Sequence, residues 1–114
     1  MFLEVLKSKI HRVRITDANL DYVGSITIDE DLMDAVDFLP NEKVHVLNLT
    51  NGERLETYVI KGPRGSGAIE LNGPAAHKGK VGDLIVILSY CFLKVRKARK
   101  FEPKMIFPIN NKLT

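Results

Sequence analysis

The chain has 114 residues, of which 45% are hydrophobic and 27% charged, and its net charge is +3. These values are typical of one soluble globular domain with a single core. The longest apolar stretch, residues 84–93, is too short to span a bilayer as a helix, which takes about 20 residues. The N-terminus lacks the features of a secretory signal, and one cysteine excludes an internal disulfide, so we expect a cytoplasmic protein.

The first half of the chain is predicted to contain two short strands and one helix. Residues 11–16 alternate as a half-buried strand does, with His11, Val13 and Ile15 on one face and Arg12, Arg14 and Thr16 on the other. Residues 17–21 then form a turn. A second strand is expected over residues 25–28. Asp29 is a good N-cap for a helix over residues 30–38, which must end before Pro40.

The second half is predicted to be strands and loops. Asn51-Gly52 lies between two apolar runs, which is the strongest short-range signal for a hairpin. The predicted strands cover residues 43–49, 54–61, 68–71, 84–89 and 105–107, with loops at 63–67 and 72–77. Six or seven short strands and one small helix favour a closed β-barrel, since closure removes exposed edges.

The Gly24-Ser25 bond precedes a short β-branched run. The Ser25 hydroxyl lies one residue after the Gly24 carbonyl, which is the arrangement needed for an N→O acyl shift. The ester could eliminate to dehydroalanine and hydrolyse to ammonia and an N-terminal pyruvoyl group. A Gly-Ser pair is more often an ordinary turn. The other pair, Gly65-Ser66, lies in a Pro- and Gly-rich loop, so we favour position 24.

Other polar residues allow two interpretations each. Thr57 and Tyr58 are good strand formers and could be no more than that. Alternatively, Thr57 could assist cleavage and Tyr58 could transfer a proton. Neighbours on a strand point in opposite directions, which does not favour a shared site. Lys9 and Arg54 are either solvated strand ends or ligand clamps. The three histidines have no metal-site spacing. Local chemistry alone does not identify a reaction.

Several motifs together resemble the aspartate 1-decarboxylase family, which depends on a pyruvoyl group. They keep the order and spacing of the family over about residues 7–90. The motifs are Lys9-Ile10-His11-Arg12, residues 18–29 (ANLDYVGSITID), residues 51–58 (NGERLETY), Arg64-Gly65-Ser66-Gly67, and residues 72–77 (NGPAAH) followed by Gly82-Asp83.

This resemblance implies a mainly β fold, a small double-psi β-barrel with one or two short helices, assembled as a homotetramer with active sites between subunits. It implies autocatalytic cleavage into residues 1–24 and 25–114, with the pyruvoyl group derived from Ser25 as the covalent cofactor and neither metal nor pyridoxal phosphate. The expected reaction converts L-aspartate to β-alanine and CO₂ for pantothenate and coenzyme A biosynthesis. The ketone would condense with the substrate amine as a Schiff base and act as an electron sink. Both spontaneous cleavage and cleavage assisted by a maturation partner fit the sequence.

The resemblance also implies roles for single residues. Gly24, Ser25 and Thr57 match the self-processing positions, and Tyr58 matches the proton donor that acts after CO₂ leaves. Arg54 offers a planar fork suited to a carboxylate. The positions that match the substrate pocket are Lys9, His11, Arg54, Thr57, Asn72, Gly73, Pro74 and Ala75.

Three features depart from the family pattern. Pro74 stands where relatives often have alanine and has no N–H to donate. Leu47 replaces an aromatic residue, and the basic segment 94–100 replaces an acidic stretch. That segment is interpreted as solvated surface, so neither a nucleic-acid nor a membrane partner is expected. The alternative is a non-enzymatic double-psi barrel that binds nucleic acid through residues 94–100, which predicts an intact chain and salt-dependent binding.

Overall fold

The structure, a computed structural model, describes residues 1–113 and is mainly β. Two short α-helices are present in this range, α1 (Glu30–Val36) and α2 (Val95–Ala98), with a 3₁₀ turn at Gly73–His77. The strands are β1 (Phe2–Arg14), β2 (Asp17–Asn19), β3 (Ser25–Asp29), β4 (Lys43–Asn48), β5 (Arg54–Gly62), β6 (Ile69–Asn72), β7 (Leu84–Lys94) and β8 (Lys104–Ile106). The predicted fold class, mainly β with one or two short helices, is therefore confirmed.

The strands form one mixed sheet in the order β2-β6-β3-β5-β4-β7-β1-β8. The pairs β1/β8, β2/β6 and β3/β5 are parallel, and the other neighbours are antiparallel. Two hydrogen bonds hold the short connection between β1 and β2. Ile15 N–H donates to Asp83 O, just before β7, and Thr16 N–H donates to Ile69 O on β6. The arrangement is consistent with a small barrel, and the double-psi type stays a prediction.

The ribbon of β1 and β7 is longer than predicted. We expected strands over residues 11–16 and 84–89, but β1 begins at Phe2 and β7 continues to Lys94. The added halves pair with each other, from Phe2 opposite Lys94 to Leu6 opposite Tyr90. Their side chains are largely exposed and follow no strict alternation, so the sequence pattern gave no signal for them.

Two predicted loops contain regular structure. The expected turn at residues 17–21 begins with β2, which pairs in parallel with β6, and the expected loop at 72–77 contains the 3₁₀ turn. The basic segment contains α2, none of whose residues is buried in the single chain, and its interpretation as solvated surface rather than a binding surface stays a prediction. No helix in the described part of the chain has the length and apolar character needed to cross a membrane.

Helix α1 forms where the sequence predicts it. Asp29 caps it by accepting the Asp31 N–H at 2.9 Å, and the buried face consists of Leu32, Met33 and Val36. The helix ends at Val36 because Asp37 adopts a left-handed conformation, φ 58°. Its buried face contributes to the same core as β3.

Strand β3 is the most deeply enclosed element of the sheet. It lies between β5 and β6, and all five of its residues are buried. The neighbouring core side chains come mainly from four strands and include Val13, Val59, Ile69, Leu71, Ile85 and Ile87. Before β3, Tyr22 and Val23 are exposed and Gly24 is half-buried, so Gly24-Ser25 lies at the boundary between solvent and core.

Candidate active site

The bond between Gly24 and Ser25 joins an exposed turn to a buried strand. Tyr22 and Val23 are 52% and 68% exposed, whereas Ser25 is 0% exposed. This arrangement fixes the Ser25 side chain while the preceding peptide stays close to the surface. A hydroxyl held in this way is a candidate nucleophile toward the carbonyl just before it.

Two hydrogen bonds fix the Ser25 hydroxyl. It donates to the Val23 carbonyl at 2.9 Å and accepts from Asn72 Nδ2 at 3.0 Å. Asn72 lies directly opposite Ser25 in the antiparallel pair of β3 and β6. The same Nδ2 donates to Thr27 Oγ1 at 2.9 Å. The site therefore contains three buried polar side chains joined through one amide.

Gly73 allows the backbone after β6 to contact the backbone at Gly24. Its φ is +63°, and a Cβ there would lie 2.8 Å from Gly24 Cα and 2.9 Å from both Gly24 N and Tyr22 O. Any other residue would therefore displace the turn that carries the Gly24-Ser25 bond. Pro74 follows directly, and its Cδ lies 3.4 Å from the Cβ position that would be built on Gly24.

A cavity of about 390 Å³ opens beside Gly24. Besides Gly24, its lining consists of Leu55, Glu56, Thr57, Tyr58, Pro74, Ala75 and Lys78. The structure thus brings Thr57 and Tyr58 to one cavity, although strand alternation predicted opposite directions. Across residues 1–113, the Thr57 hydroxyl has no hydrogen bond to Gly24. Lys78, which no sequence motif indicated, also forms an ion pair with Glu53 at 2.7 Å.

The remaining predicted pocket residues lie elsewhere in this chain. Arg54 is exposed at the start of β5. Lys9 lies on β1, where it is half-buried and faces Leu88 of β7. His11 lines a separate cavity of about 560 Å³, together with Arg12 and other residues. One chain therefore does not bring Lys9 or His11 to the cavity beside Gly24.

The electrostatic surroundings of His11 favour its neutral form. Desolvation by burial, followed by the charges of Lys9 and Arg12, holds the pKa of His11 below its usual value. Its ring meets Phe107 edge-on, with centroids 5.5 Å apart. At neutral pH, the imidazole is therefore suited to hydrogen bonding rather than to charge pairing.

Thr27 was also missed by the sequence analysis. The available signal was its spacing: it lies two residues after Ser25 on a strand, so the two side chains share a face.

No group of three or more His, Cys, Asp or Glu side chains in the described residues is arranged to hold a metal ion.

Comparison with known proteins gives a uniform result. The family model described as aspartate decarboxylase matches residues 1–113. A protein named aspartate 1-decarboxylase from Parabacteroides distasonis is 57% identical, covering 95% of this chain and 93% of its own length. One of the same name from Cytophaga hutchinsonii is 56% identical over 99% of both chains, and one from Caldicellulosiruptor saccharolyticus is 59% identical over 97% of this chain and 87% of its own. Nothing in these matches favours the non-enzymatic alternative.

Proposed function

Because the chain belongs to the aspartate decarboxylase family, we infer that it is a carboxy-lyase that converts L-aspartate to β-alanine and CO₂ for pantothenate synthesis. The match along residues 1–113 is the observation that carries this conclusion. We further propose the origin of the cofactor, the roles of single residues and the assembly of the site from two subunits, in three parts.

The first part is self-cleavage at Gly24-Ser25 into residues 1–24 and 25–114. The Ser25 hydroxyl would attack the Gly24 carbonyl carbon, and the peptide nitrogen would leave as the ester forms. Elimination and hydrolysis would then leave a pyruvoyl group at residue 25 and release ammonia. The burial of Ser25, its bond from Asn72 and the close contact of Gly73 with Gly24 support this step.

The second part assigns the cavity beside Gly24 to the reaction. The pyruvoyl group supplies an electron-withdrawing ketone that activates the substrate for loss of CO₂. Tyr58, half-buried in the cavity wall, is proposed to donate its phenolic proton to carbon after decarboxylation. Thr57 and Asn72 are proposed to bind polar atoms during cleavage and turnover. The backbone N–H groups of Gly73 and Ala75 remain donors, because Pro74 has none.

The third part completes the site from a second subunit. L-aspartate carries two carboxylates, for which Arg54 offers a bidentate fork and Lys9 a second positive charge. Lys9 and His11 lie away from the cavity beside Gly24 in their own chain. We therefore propose the homotetramer implied by the sequence, with each site formed between subunits. A cytoplasmic location and independence from metal and pyridoxal phosphate stay predictions.

Intact-mass measurement combined with a β-alanine assay tests the proposal. Purified protein should convert with time or warming from one chain to fragments 1–24 and 25–114. The larger fragment should be lighter by one ammonia than a serine-terminated chain, and β-alanine should appear with cleavage.

Two serine variants provide the controls for that experiment. Ser25→Ala should stay whole and inactive, whereas Ser66→Ala, at the other Gly-Ser pair, should cleave as the wild type does. A wild-type chain that stays whole yet produces β-alanine would contradict the origin of the cofactor. A cleaved chain that produces none would contradict the reaction.

A further inference from the structure

Thr27 and Ser25 occupy the same face of β3, and both are buried, 7% and 0% exposed. We propose that Thr27 is a positioning residue for cleavage at Gly24-Ser25, acting through the side-chain amide of Asn72. This inference rests on the proposed function, because it assigns a role within the same cleavage step.

The amide of Asn72 joins the two hydroxyls. Its Nδ2 lies 3.0 Å from Ser25 Oγ and 2.9 Å from Thr27 Oγ1. A primary amide nitrogen carries two hydrogens, so each hydroxyl accepts one of them. Asn72 is only 3% exposed, so most of its amide is shielded from bulk water. The two bonds together fix the plane of the amide.

The direction of the Ser25 hydroxyl requires Asn72 to present nitrogen rather than oxygen. The single Ser25 hydroxyl hydrogen is donated to the Val23 carbonyl at 2.9 Å. The group that faces the remaining lone pairs must therefore be a donor. Thr27 accepts the second N–H of the same nitrogen, which stabilises this orientation of the amide over the rotated one.

Replacing Thr27 with valine would reverse that preference. Valine has nearly the shape of threonine but accepts no hydrogen bond, and a buried N–H without an acceptor is costly. We expect the Asn72 amide to rotate and turn its carbonyl oxygen toward Ser25. The Ser25 hydroxyl would then either face another oxygen or leave Val23 to donate to Asn72. Both outcomes would change the pair of hydrogen bonds, to Val23 and from Asn72, that fixes the Ser25 hydroxyl.

A second contact fixes the rotamer of Thr27. Its Cγ2 methyl lies 3.0 Å from the position that a Cβ on Gly62 would occupy. The methyl therefore packs over a glycine backbone that offers the necessary space, and the hydroxyl is directed toward Asn72. Both branches of the Thr27 side chain are thus held by neighbouring strands.

The test follows cleavage of freshly synthesised full-length precursor by intact mass. Thr27→Val and Thr27→Ala should each cleave at least about tenfold more slowly than the wild type, equivalent to about 1.4 kcal/mol. Thr27→Ser retains the acceptor and should cleave within about threefold of the wild-type rate. Thr16→Val is the matched control: its hydroxyl bonds the Ile69 backbone at 3.1 and 2.9 Å and does not contact Asn72, so its rate should not change.

The possible results separate this inference from the proposed function. If the wild type cleaves and Thr27→Val cleaves equally fast, Thr27 has no positioning role while self-cleavage stands. Equal slowing of Thr27→Ser and Thr27→Val would also overturn the inference, since the hydroxyl would not matter. If Thr16→Val slowed cleavage as much as Thr27→Val, the loss of a threonine hydroxyl that does not contact Asn72 would be enough to slow cleavage. That result would overturn the inference as well. A wild-type chain that never cleaves on its own would overturn unassisted self-cleavage and this inference with it, whereas the decarboxylase assignment rests on the family match.

Discussion

Tyr58 reaches the cavity beside Gly24 from the middle of β5, where its ring is half-buried. In the proposed reaction its hydroxyl acts only after CO₂ has left, whereas the Ser25 hydroxyl reacts earlier, during cleavage. Cleavage and turnover should therefore depend on different side chains of the same small region. Substitution at one residue can separate the two processes.

Tyr58→Phe retains the ring and removes the proton donor. We expect normal cleavage at Ser25 and a fall in β-alanine formation of about 10²- to 10⁴-fold, the range typical of general acid catalysis. The measurements are the intact mass of the large fragment and the rate of β-alanine formation. Tyr90→Phe, an exposed tyrosine outside this cavity, is the control and should leave both unchanged. A cleaved Tyr58→Phe with the wild-type rate would show that Tyr58 serves only as a strand residue.

The sequence identifies individual residues better than their contacts. The family resemblance singled out Gly24, Thr57 and Tyr58, and the structure brings all three to one cavity. Thr27 escaped notice because its role depends on a side chain of β6, far away in sequence. Its spacing from Ser25 places the two side chains on one face of a strand, but nothing in the local sequence indicates the hydrogen bond from Asn72.

Asp29 connects two elements that follow the cleavage site. Its carboxylate is 1% exposed and caps α1, and it also accepts the Gly65 and Gly67 N–H groups at 3.0 and 2.9 Å. One side chain thus fixes the end of β3, the start of α1 and the Gly-rich loop. The helix cap was predicted, whereas the bonds to the loop depend on its tertiary position.

Asp29→Asn should destabilise the protein, because the amide nitrogen of asparagine would face a backbone N–H. We expect a loss of about 1–3 kcal/mol in the free energy of unfolding and a fall in melting temperature of about 4–12 °C. Thermal unfolding at one fixed protein concentration measures it. Asp17→Asn is the control, since this exposed side chain accepts one N–H that asparagine can also accept. Equal melting temperatures for all three proteins would contradict the role of Asp29.

The elements that could be predicted are those with a local pattern. Turn signals and β-branched runs located β3, β4, β5 and β6 to within a few residues. β2 was missed because a three-residue strand is defined by its partner, β6, rather than by its own sequence. The exposed half of β1 was missed for a similar reason: it is held by pairing with β7.

The surface of the single chain has apolar side chains that suggest association. Phe2 and Phe92, at the outer end of the β1/β7 ribbon, are 62% and 68% exposed, and Phe107 and Ile109 near the C-terminus are 65% and 61% exposed. Contiguous exposed apolar patches commonly mark contacts between proteins, and Phe107 shares one shallow cavity with the exposed Met105 and Leu113. Together with the separation of His11 from Gly24, they support assembly with active sites between subunits.

Co-expression of two inactive variants tests that assembly. In the proposed tetramer one subunit supplies Ser25 and Tyr58, and its neighbour supplies Lys9 and His11. His11→Ala and Tyr58→Phe should each be nearly inactive alone, but mixed tetramers should contain sites with both residues intact. Random assembly at equal amounts would restore about one quarter of the sites, and the measurement is β-alanine formation by the purified mixed oligomer.

The matched control combines two variants from the same side of the proposed site, His11→Ala and Lys9→Ala. Every site in that mixture lacks one of the two residues, so no activity should return, whatever the proportions of the subunits. Recovery in the first mixture alone would place Tyr58 and His11 on different subunits of one site, since a site within one chain cannot be repaired by mixing. Absence of recovery in both mixtures, with mixed oligomers verified by mass, would show that each chain holds a complete site and that the exposed apolar side chains serve another contact.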